Sequence, residues 1–317
     1  YTLAEVKKEI HKLNNTKSPG YDGINAIVVK NLSKKSILFL ILIFNSILRL
    51  SYFPTQWKCA EIIMILKPNK PENEINSYRP ISLLPTFSKL FERLLSHRLL
   101  PHLEKETIIP EHQFGFRHQH GTPEQIHRVV DIITDTFERK LYTSAVFLDV
   151  KQAFDRVWHQ GLLFKLKSFL PTPMYLILQS YLYKRTCYVK VNDEFSKICH
   201  IKSGVPQGSV LGPILYTIFT SDMPLYEDVT IATYADDTAI LSSDESPIIA
   251  STKIQRELDM LDIWLKKWKI EVNTEKSVHI TFTLRKNDCL PVYINGSQIP
   301  KSNCVKYLGM HLDRRLT

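Results

Sequence analysis

Apolar positions at the start of the chain, Leu3, Val6, Ile10 and Leu13, recur at helical spacing and stop at Asn14-Asn15, ahead of the turn Ser18-Pro19-Gly20-Tyr21-Asp22-Gly23. The strongest apolar run, 37–44, is interrupted by Asn45-Ser46 before Ile47-Leu48. It falls well short of the roughly 20 residues a membrane span needs and predicts a buried helix. Residues 60–66 predict a strand closed by Lys67-Pro68-Asn69-Lys70-Pro71, and 79–84 predict a second extended piece, so Lys67 and Arg79 flank a predicted hairpin. Leu90, Leu94, Leu95, Leu99 and Leu103 share one face of a predicted core helix over 88–103. Further helices are expected within 160–170 and 173–184, and a hairpin joins 187–191 to 195–201 around Asn192-Asp193-Glu194. Ile254, Leu258, Leu261, Leu265 and Trp268 alternate steps of four and three, the pattern of a helix packed on a sheet, with Trp268 in the core.

Two places in this pattern carry acids at the ends of predicted strands. Tyr234-Ala235-Asp236-Asp237 separates the apolar runs 229–233 and 239–241, which puts paired carboxylates at the tip of a predicted β-hairpin. A bare Asp-Asp is usually a turn whose side chains bond nearby amides. A third carboxylate changes the balance: 145–148 is a short apolar strand run and Asp149 lies directly at its end. Two strand-borne acidic sites that meet across one sheet repel each other unless a divalent cation fills the space between them.

Strands followed by helices in no strict alternation predict a mixed α/β (α+β) fold rather than a doubly wound parallel one. At 317 residues, with 44% hydrophobic and 23% charged content, the chain is a folded protein large enough for two subdomains. No repeat, low-complexity tract or linker marks a boundary, so the subdomains are expected to interleave. The net charge of +9 favours a polyanionic partner, nucleic acid before membrane. Five widely spaced cysteines without a Cys-x-x-Cys pair predict a reduced, intracellular chain, not secreted and without a zinc site. His118-Gln119-His120 beside Arg117 has no cysteine or acid at ligand spacing and reads as solvated or phosphate-facing loop. Position 1 is Tyr rather than Met and no signal peptide is visible, so the chain is expected to begin inside a longer reading frame.

Seven ordered blocks give these features a family resemblance. The segment Phe147-Leu148-Asp149-Val150-Lys151-Gln152-Ala153-Phe154-Asp155, then 203–213 (Ser-Gly-Val-Pro-Gln-Gly-Ser-Val-Leu-Gly-Pro), then Tyr234-Ala235-Asp236-Asp237, resembles a reverse transcriptase. The blocks at 18–24, 78–84, Gln113-Phe114-Gly115-Phe116-Arg117 and Val305-Lys306-Tyr307-Leu308-Gly309 resemble, more narrowly, the non-LTR (LINE-type) retrotransposon enzymes of the jockey-like group of insects. The resemblance covers nearly the whole chain. It implies a right-hand polymerase with fingers mainly at 1–140, including a palm helix near 88–103. The palm would lie mainly at 141–317, with 160–202 partly fingers. An upstream endonuclease in the same polyprotein and a thumb beyond Thr317 are implied but absent from the chain.

The resemblance also implies roles. Two Mg²⁺ ions, replaceable by Mn²⁺, would sit about 4 Å apart on Asp149 and Asp236, with Asp237 beside them and the Val150 carbonyl as an extra ligand. One activates the primer 3′-hydroxyl and the other neutralises the leaving pyrophosphate. Lys67 and Arg79 resemble the fingers cations around the triphosphate, and Arg suits bidentate phosphate contact. Lys276 resembles a lysine that protonates pyrophosphate. Phe154 resembles the aromatic gate against a ribose 2′-hydroxyl. Asp155 beside it is a complication, since RNA-dependent RNA polymerases carry an acid at similar spacing that recognises that hydroxyl; the aromatic block, and Tyr-Ala in place of Gly before the Asp pair, favour deoxynucleotides. Gln207 and Gly208 would line the nucleotide and template base, Gly208 by allowing close backbone approach. Tyr307-Leu308-Gly309 resembles a primer-grip hairpin. Each residue also has a plain alternative: solvated cations, a core aromatic at Phe154, a helix-initiating turn at 206–208, core at Leu308.

The expected function is therefore RNA-directed DNA synthesis, with an RNA template, a DNA primer and deoxynucleoside triphosphates as partners, no membrane, and a place in the cytoplasm or nucleus. The alternative is a catalytically incompetent or domesticated copy that only binds nucleic acid. A relative with another task, a group II intron maturase or an RNA polymerase, is the third reading.

Overall fold

The structure is a computed structural model that describes every residue except Asn69 and His118, so the turn at Asn69 and the loop reading of His118 lie outside the described residues. In chain order the helices are α1 (Leu3–His11), α2 (Ala26–Lys30), α3 (Lys34–Leu50), α4 (Thr86–Lys105) and α5 (Thr122–Glu138). They continue as α6 (His159–Phe169), α7 (Thr172–Leu182), α8 (Leu211–Thr220) and α9 (Pro247–Trp268). The strands are β1 (Cys59–Leu66), β2 (Tyr78–Leu83), β3 (Tyr142–Leu148), β4 (Thr186–Val191), β5 (Glu194–Phe195), β6 (Cys199–His200) and β7 (Thr230–Tyr234). The remainder are β8 (Asp237–Asp244), β9 (Val278–Phe282), β10 (Tyr293–Ile294), β11 (Ser297–Gln298), β12 (Cys304–Tyr307) and β13 (Met310–Asp313).

The chain forms two compact units that interleave in sequence: unit 1 is Tyr1–Ile108 with Val157–Phe219, and unit 2 is Ile109–Arg156 with Thr220–Thr317. Unit 1 holds a mixed sheet, β1 pairing antiparallel with β2 and parallel with β4, while β5 and β6 add to β4. Its helical part begins at a capping box in which Thr2 and Glu5 satisfy each other's amides, at 2.7 and 3.3 Å, so α1 starts where its apolar stripe does. Phe44, Phe53, Phe91 and Tyr181 are buried in this unit and pack with Trp57, edge to face except for the tilted Trp57–Phe91 and Phe44–Phe91 pairs.

The apolar run at 37–44 lies in α3, but the expectation of a buried helix holds for one face only. Ile37, Leu40, Ile41, Phe44 and Ile47 are buried, whereas Leu38, Phe39, Leu42 and Ile43 are about half exposed. The 3.6-residue period of a helix cannot bury a continuous apolar run against a single layer of neighbours.

Unit 2 is built on an antiparallel sheet in the order β7-β8-β3-β9. Its inner strand β3 is buried at every position, because it is paired on both edges and covered by helices. Helix α9 packs against β3 and β8, as its stripe predicts, with Ile254, Leu258, Leu261, Leu265 and Trp268 all buried. Helix α5 brings Val129 and Ile133 onto Ala145, Phe147, Ala239 and Leu241, and the β12–β13 hairpin adds Val305, Tyr307 and Leu312 to the same core. No helix of the described residues is long and apolar enough to cross a membrane.

Candidate active site

β7 and β8 are joined by a two-residue turn. Tyr234 pairs with Asp237, which leaves Ala235 and Asp236 as the connection. Ala235 sits at φ 59, in the left-handed region. A side chain there costs roughly 1–3 kcal/mol and persists only where the surroundings fix it. β8 then runs antiparallel to β3, with Leu148 opposite Thr238. The next step of that register sets Asp149 against Asp237, so the acids predicted on separate strands share one end of one sheet.

The electrostatics agree with that placement. The Asp237 carboxyl is pushed up to about 6, first by partial burial, then by the charge of Asp236, then by that of Asp149. Like charges beside a carboxyl disfavour its ionised form, so Asp236 and Asp149 act in the same direction as the burial. Among the described residues no three or more His, Cys, Asp or Glu side chains are grouped so as to hold a metal ion by themselves. Magnesium differs from ions bound in all-protein cages in using one or two carboxylates and completing its shell with water and substrate phosphates.

The backbone of Asp149 is held by the loop before β9. Its N–H donates to Ser277 Oγ at 3.2 Å and its carbonyl accepts from the Asn273 N–H at 2.7 Å. Ser277 is buried, and its hydroxyl donates in turn to the Asn273 carbonyl at 2.8 Å. Lys276, exposed, stands next to Ser277 on this loop. Val150 bridges Val272, but the bonds are made by the neighbours, Lys151 N–H to Glu271 and Asn273 N–H to Asp149, so the Val150 carbonyl is not consumed there. Phe154 is half-buried, with its ring edge-on to Phe116 at 6.1 Å, and so belongs neither to the closed core nor to the open surface. Tyr307 is buried; its hydroxyl donates to the Ala232 carbonyl at 3.1 Å, and its titration is raised by burial and by Asp237. Leu308 and Gly309 form the turn of that hairpin at φ 47 and 92.

Unit 1 carries the other predicted residues. Arg79 is exposed on β2 opposite Ile65 of β1, and Lys67 follows β1 with its N–H on the Ser77 carbonyl. Strand alternation places the two on one face of the hairpin. Lys67 Nζ donates to the Asn76 carbonyl at 2.8 Å, which ties it to the loop. Three residues beyond Arg79, Ser82 donates its N–H to the Gln207 carbonyl at 2.7 Å. A Cβ on Gly208, at φ 116, would lie 2.7 Å from the Ser82 carbonyl oxygen, so only glycine fits. The structure thus brings Gln207 and Gly208 onto the strand that carries Arg79.

Two positions escaped the sequence reading. Glu92 is fully buried in α4 and accepts the N–H groups of Val210 and Leu211 at 2.9 and 3.1 Å, capping α8 from outside. Its carboxyl is raised by burial, against the opposing influence of Arg185 and those amides. A Glu inside a leucine-rich helix gives no local sign of this. Gln113 is the second. Its block was recognised as a motif, but nothing near it in sequence shows that its side chain reaches Ala235.

Comparison with known proteins places this geometry. Residues 65–312 match the family model described as reverse transcriptase (RNA-dependent DNA polymerase). The chain is 48% identical to the RNA-directed DNA polymerase from mobile element jockey of Drosophila melanogaster, over all of this chain and 35% of that protein. It is 46% identical to the probable RNA-directed DNA polymerase from transposon X-element of the same fly, over 99% of this chain and 35% of that protein. It thus spans about a third of the length of these curated relatives. Among solved structures, an apo telomerase from Candida tropicalis superposes with a TM-score of 0.56 at 15% identity, covering 92% of this chain and 64% of that one. That likeness shows a shared fold, the right-hand polymerase fold. The chain therefore belongs to the reverse transcriptase family, among the non-LTR retrotransposon enzymes that include those of jockey and the X-element.

Proposed function

We propose that this chain extends a primer 3′-hydroxyl with deoxynucleotides on an RNA template, at a metal centre formed by Asp149 and Asp236 with Asp237 beside them. The observation that carries the proposal is the register of β3 and β8, which opposes Asp149 to the Asp236-Asp237 turn. Family membership implies a nucleic-acid template and primer and a divalent metal; Mg²⁺ as a pair of ions, with Mn²⁺ as a substitute, is the finer reading. Hard carboxylate oxygens suit that ion. When bound, the metal activates the primer hydroxyl and offsets charge on the departing pyrophosphate.

The protein's own groups have these parts. Asp149 and Asp236 supply the ligand oxygens, the Val150 carbonyl adds another, and Asp237 shapes the local field. Lys276 hands a proton to the leaving pyrophosphate from the loop that holds the Asp149 backbone. Phe154 excludes a 2′-hydroxyl sterically. In unit 1, Lys67 and Arg79 offer charge to the triphosphate, and Gln207 and Gly208 shape the nucleotide and template contact. The turn at Leu308-Gly309 acts as the primer grip, with Tyr307 as its buried anchor. In this reading 1–140 serves mainly as fingers and 141–317 mainly as palm, and an endonuclease domain and a thumb belong to a longer polyprotein.

The test is incorporation of labelled deoxynucleotide by the purified chain on primed RNA with Mg²⁺. Asp236→Ala should abolish it, and incorporation that survives the substitution would sink the assignment. Salt-sensitive binding of nucleic acid with no extension by the wild type would favour a binding protein instead.

A further inference from the structure

The motif Gln113-Phe114-Gly115 lies alongside the turn that carries Asp236. Phe114 N–H donates to the Thr233 carbonyl at 2.9 Å and Thr233 N–H to the His112 carbonyl at 3.0 Å, so 112–114 continues the sheet beside β7 as a short parallel bridge. Beyond that bridge the buried side chain of Gln113 takes over from the backbone. Its Oε1 accepts the Ala235 N–H at 3.0 Å and the Gly115 N–H at 2.7 Å, and its Nε2 donates to the Ala235 carbonyl at 3.4 Å. A two-residue turn leaves the amide and carbonyl of its first residue without ladder partners, and one carboxamide here meets both.

Gly115 allows the approach. A Cβ at this position would lie 2.3 Å from the Ala235 nitrogen, which is backbone and cannot swing aside. Ala235 meanwhile holds a left-handed conformation that alanine adopts only under constraint. A forked donor and acceptor aimed at Ala235, a glycine pressed onto its nitrogen, and the strained φ occupy the position immediately before Asp236.

We propose that Gln113 is a positioning residue for the reaction: it clamps the backbone of Ala235, with Gly115 making room, and so fixes where Asp236 presents its carboxylate. This rests on the reading of Asp236 as a metal ligand. Gln113 itself touches neither substrate nor metal.

Two readouts on the full chain test it. Gln113→Met keeps the length and packing of the side chain and removes the carboxamide. It should lower kcat for primer extension by about 30–100-fold, the scale of a misplacement near 1 Å, with KM for deoxynucleotide and affinity for primed template within about threefold of wild type. Gln113→Glu, which keeps the acceptor for both amides, should recover part of the lost rate, and Gly115→Ala should behave like Gln113→Met. Independently of activity, amide hydrogen exchange should show Ala235 protected in wild type and unprotected in Gln113→Met, with Ile231 and Ala232 of β7 protected in both. Unchanged kcat and unchanged Ala235 exchange in Gln113→Met would overturn the proposal. Loss of protection along the whole of β7 would also overturn it, since Gln113 would then be general support. A wild-type chain that extends no primer would sink the reading of Asp236, while the exchange measurement would still decide whether the clamp exists.

Discussion

Asp149 stands across the β3–β8 pair from Asp237. Leu148 is opposite Thr238, and one further step along the antiparallel register brings the two carboxylates to the same rung. Burial raises the Asp237 carboxyl to about 6, and the charges of Asp236 and then Asp149 add to the rise.

That rise fixes the sign of a pH effect. In the unfolded chain an Asp releases its proton near about 4, while folded Asp237 keeps it to about 6. Between these values the folded state binds more protons, so this group's contribution to stability is full below about pH 4 and is lost as the pH rises through about 6. Asp237→Asn should therefore raise Tm in EDTA at pH 7, with the gain shrinking toward zero as the pH falls toward 4. Added Mg²⁺ at pH 7 should stabilise wild type more than the variant. Thermal scans from pH 4 to 8 check this; an Asp237→Asn gain that is constant across the range would contradict it.

Glu92 offers a second test, on the loop that carries Gln207 and Gly208. It is fully buried and caps α8 through Val210 and Leu211. Removing the carboxyl leaves the two amides it accepts from without a partner, so Glu92→Ala should cost about 2–4 kcal/mol by urea unfolding. A loss below about 1 kcal/mol would show that the cap is dispensable.

Gly208 combines a left-handed φ with a contact that leaves no space beside Ser82. Gly208→Ala should lift the 206–208 turn off β2 and raise KM for deoxynucleotide by about tenfold or more, a loss near 1.4 kcal/mol, with little change in template affinity. Steady-state kinetics with varied nucleotide separates the two; an unchanged KM would remove Gly208 from the nucleotide contact.

Phe154→Ala should admit ribonucleotides that the wild type rejects, because the half-buried ring is then gone from beside Phe116. Parallel extension with ribo- and deoxynucleotides measures it. Equal discrimination in both proteins would return Phe154 to a packing role.

What was legible in the sequence was what period and adjacency encode. The apolar runs around Tyr234-Ala235-Asp236-Asp237 and before Asp149 predicted a hairpin tip and a strand end, and those are the positions found. The steps of four and three in 254–268 predicted a helix on a sheet, and α9 packs on β3 and β8. The exposed half of α3 was not legible, because a continuous apolar run carries no period to show which side lacks a neighbour. Glu92 and Gln113 were not legible for another reason. Their partners lie 118 and 122 residues away along the chain, and a hydrogen bond closed over that distance leaves no local pattern. Ser277 belongs with them, since its hold on Asp149 depends on β9 pairing beside β3.

The convergence of Asp149 and Asp236 on one metal centre is tested most directly by single-nucleotide incorporation rates for Asp149→Asn, Asp236→Asn and the double variant on primed RNA with Mg²⁺. Residues that act as one unit are not additive. Each single substitution should reduce the rate by about a thousandfold or more, and the double variant should fall no further than the slower single. A near wild-type rate in either single variant, or losses that multiply in the double, would contradict a shared centre.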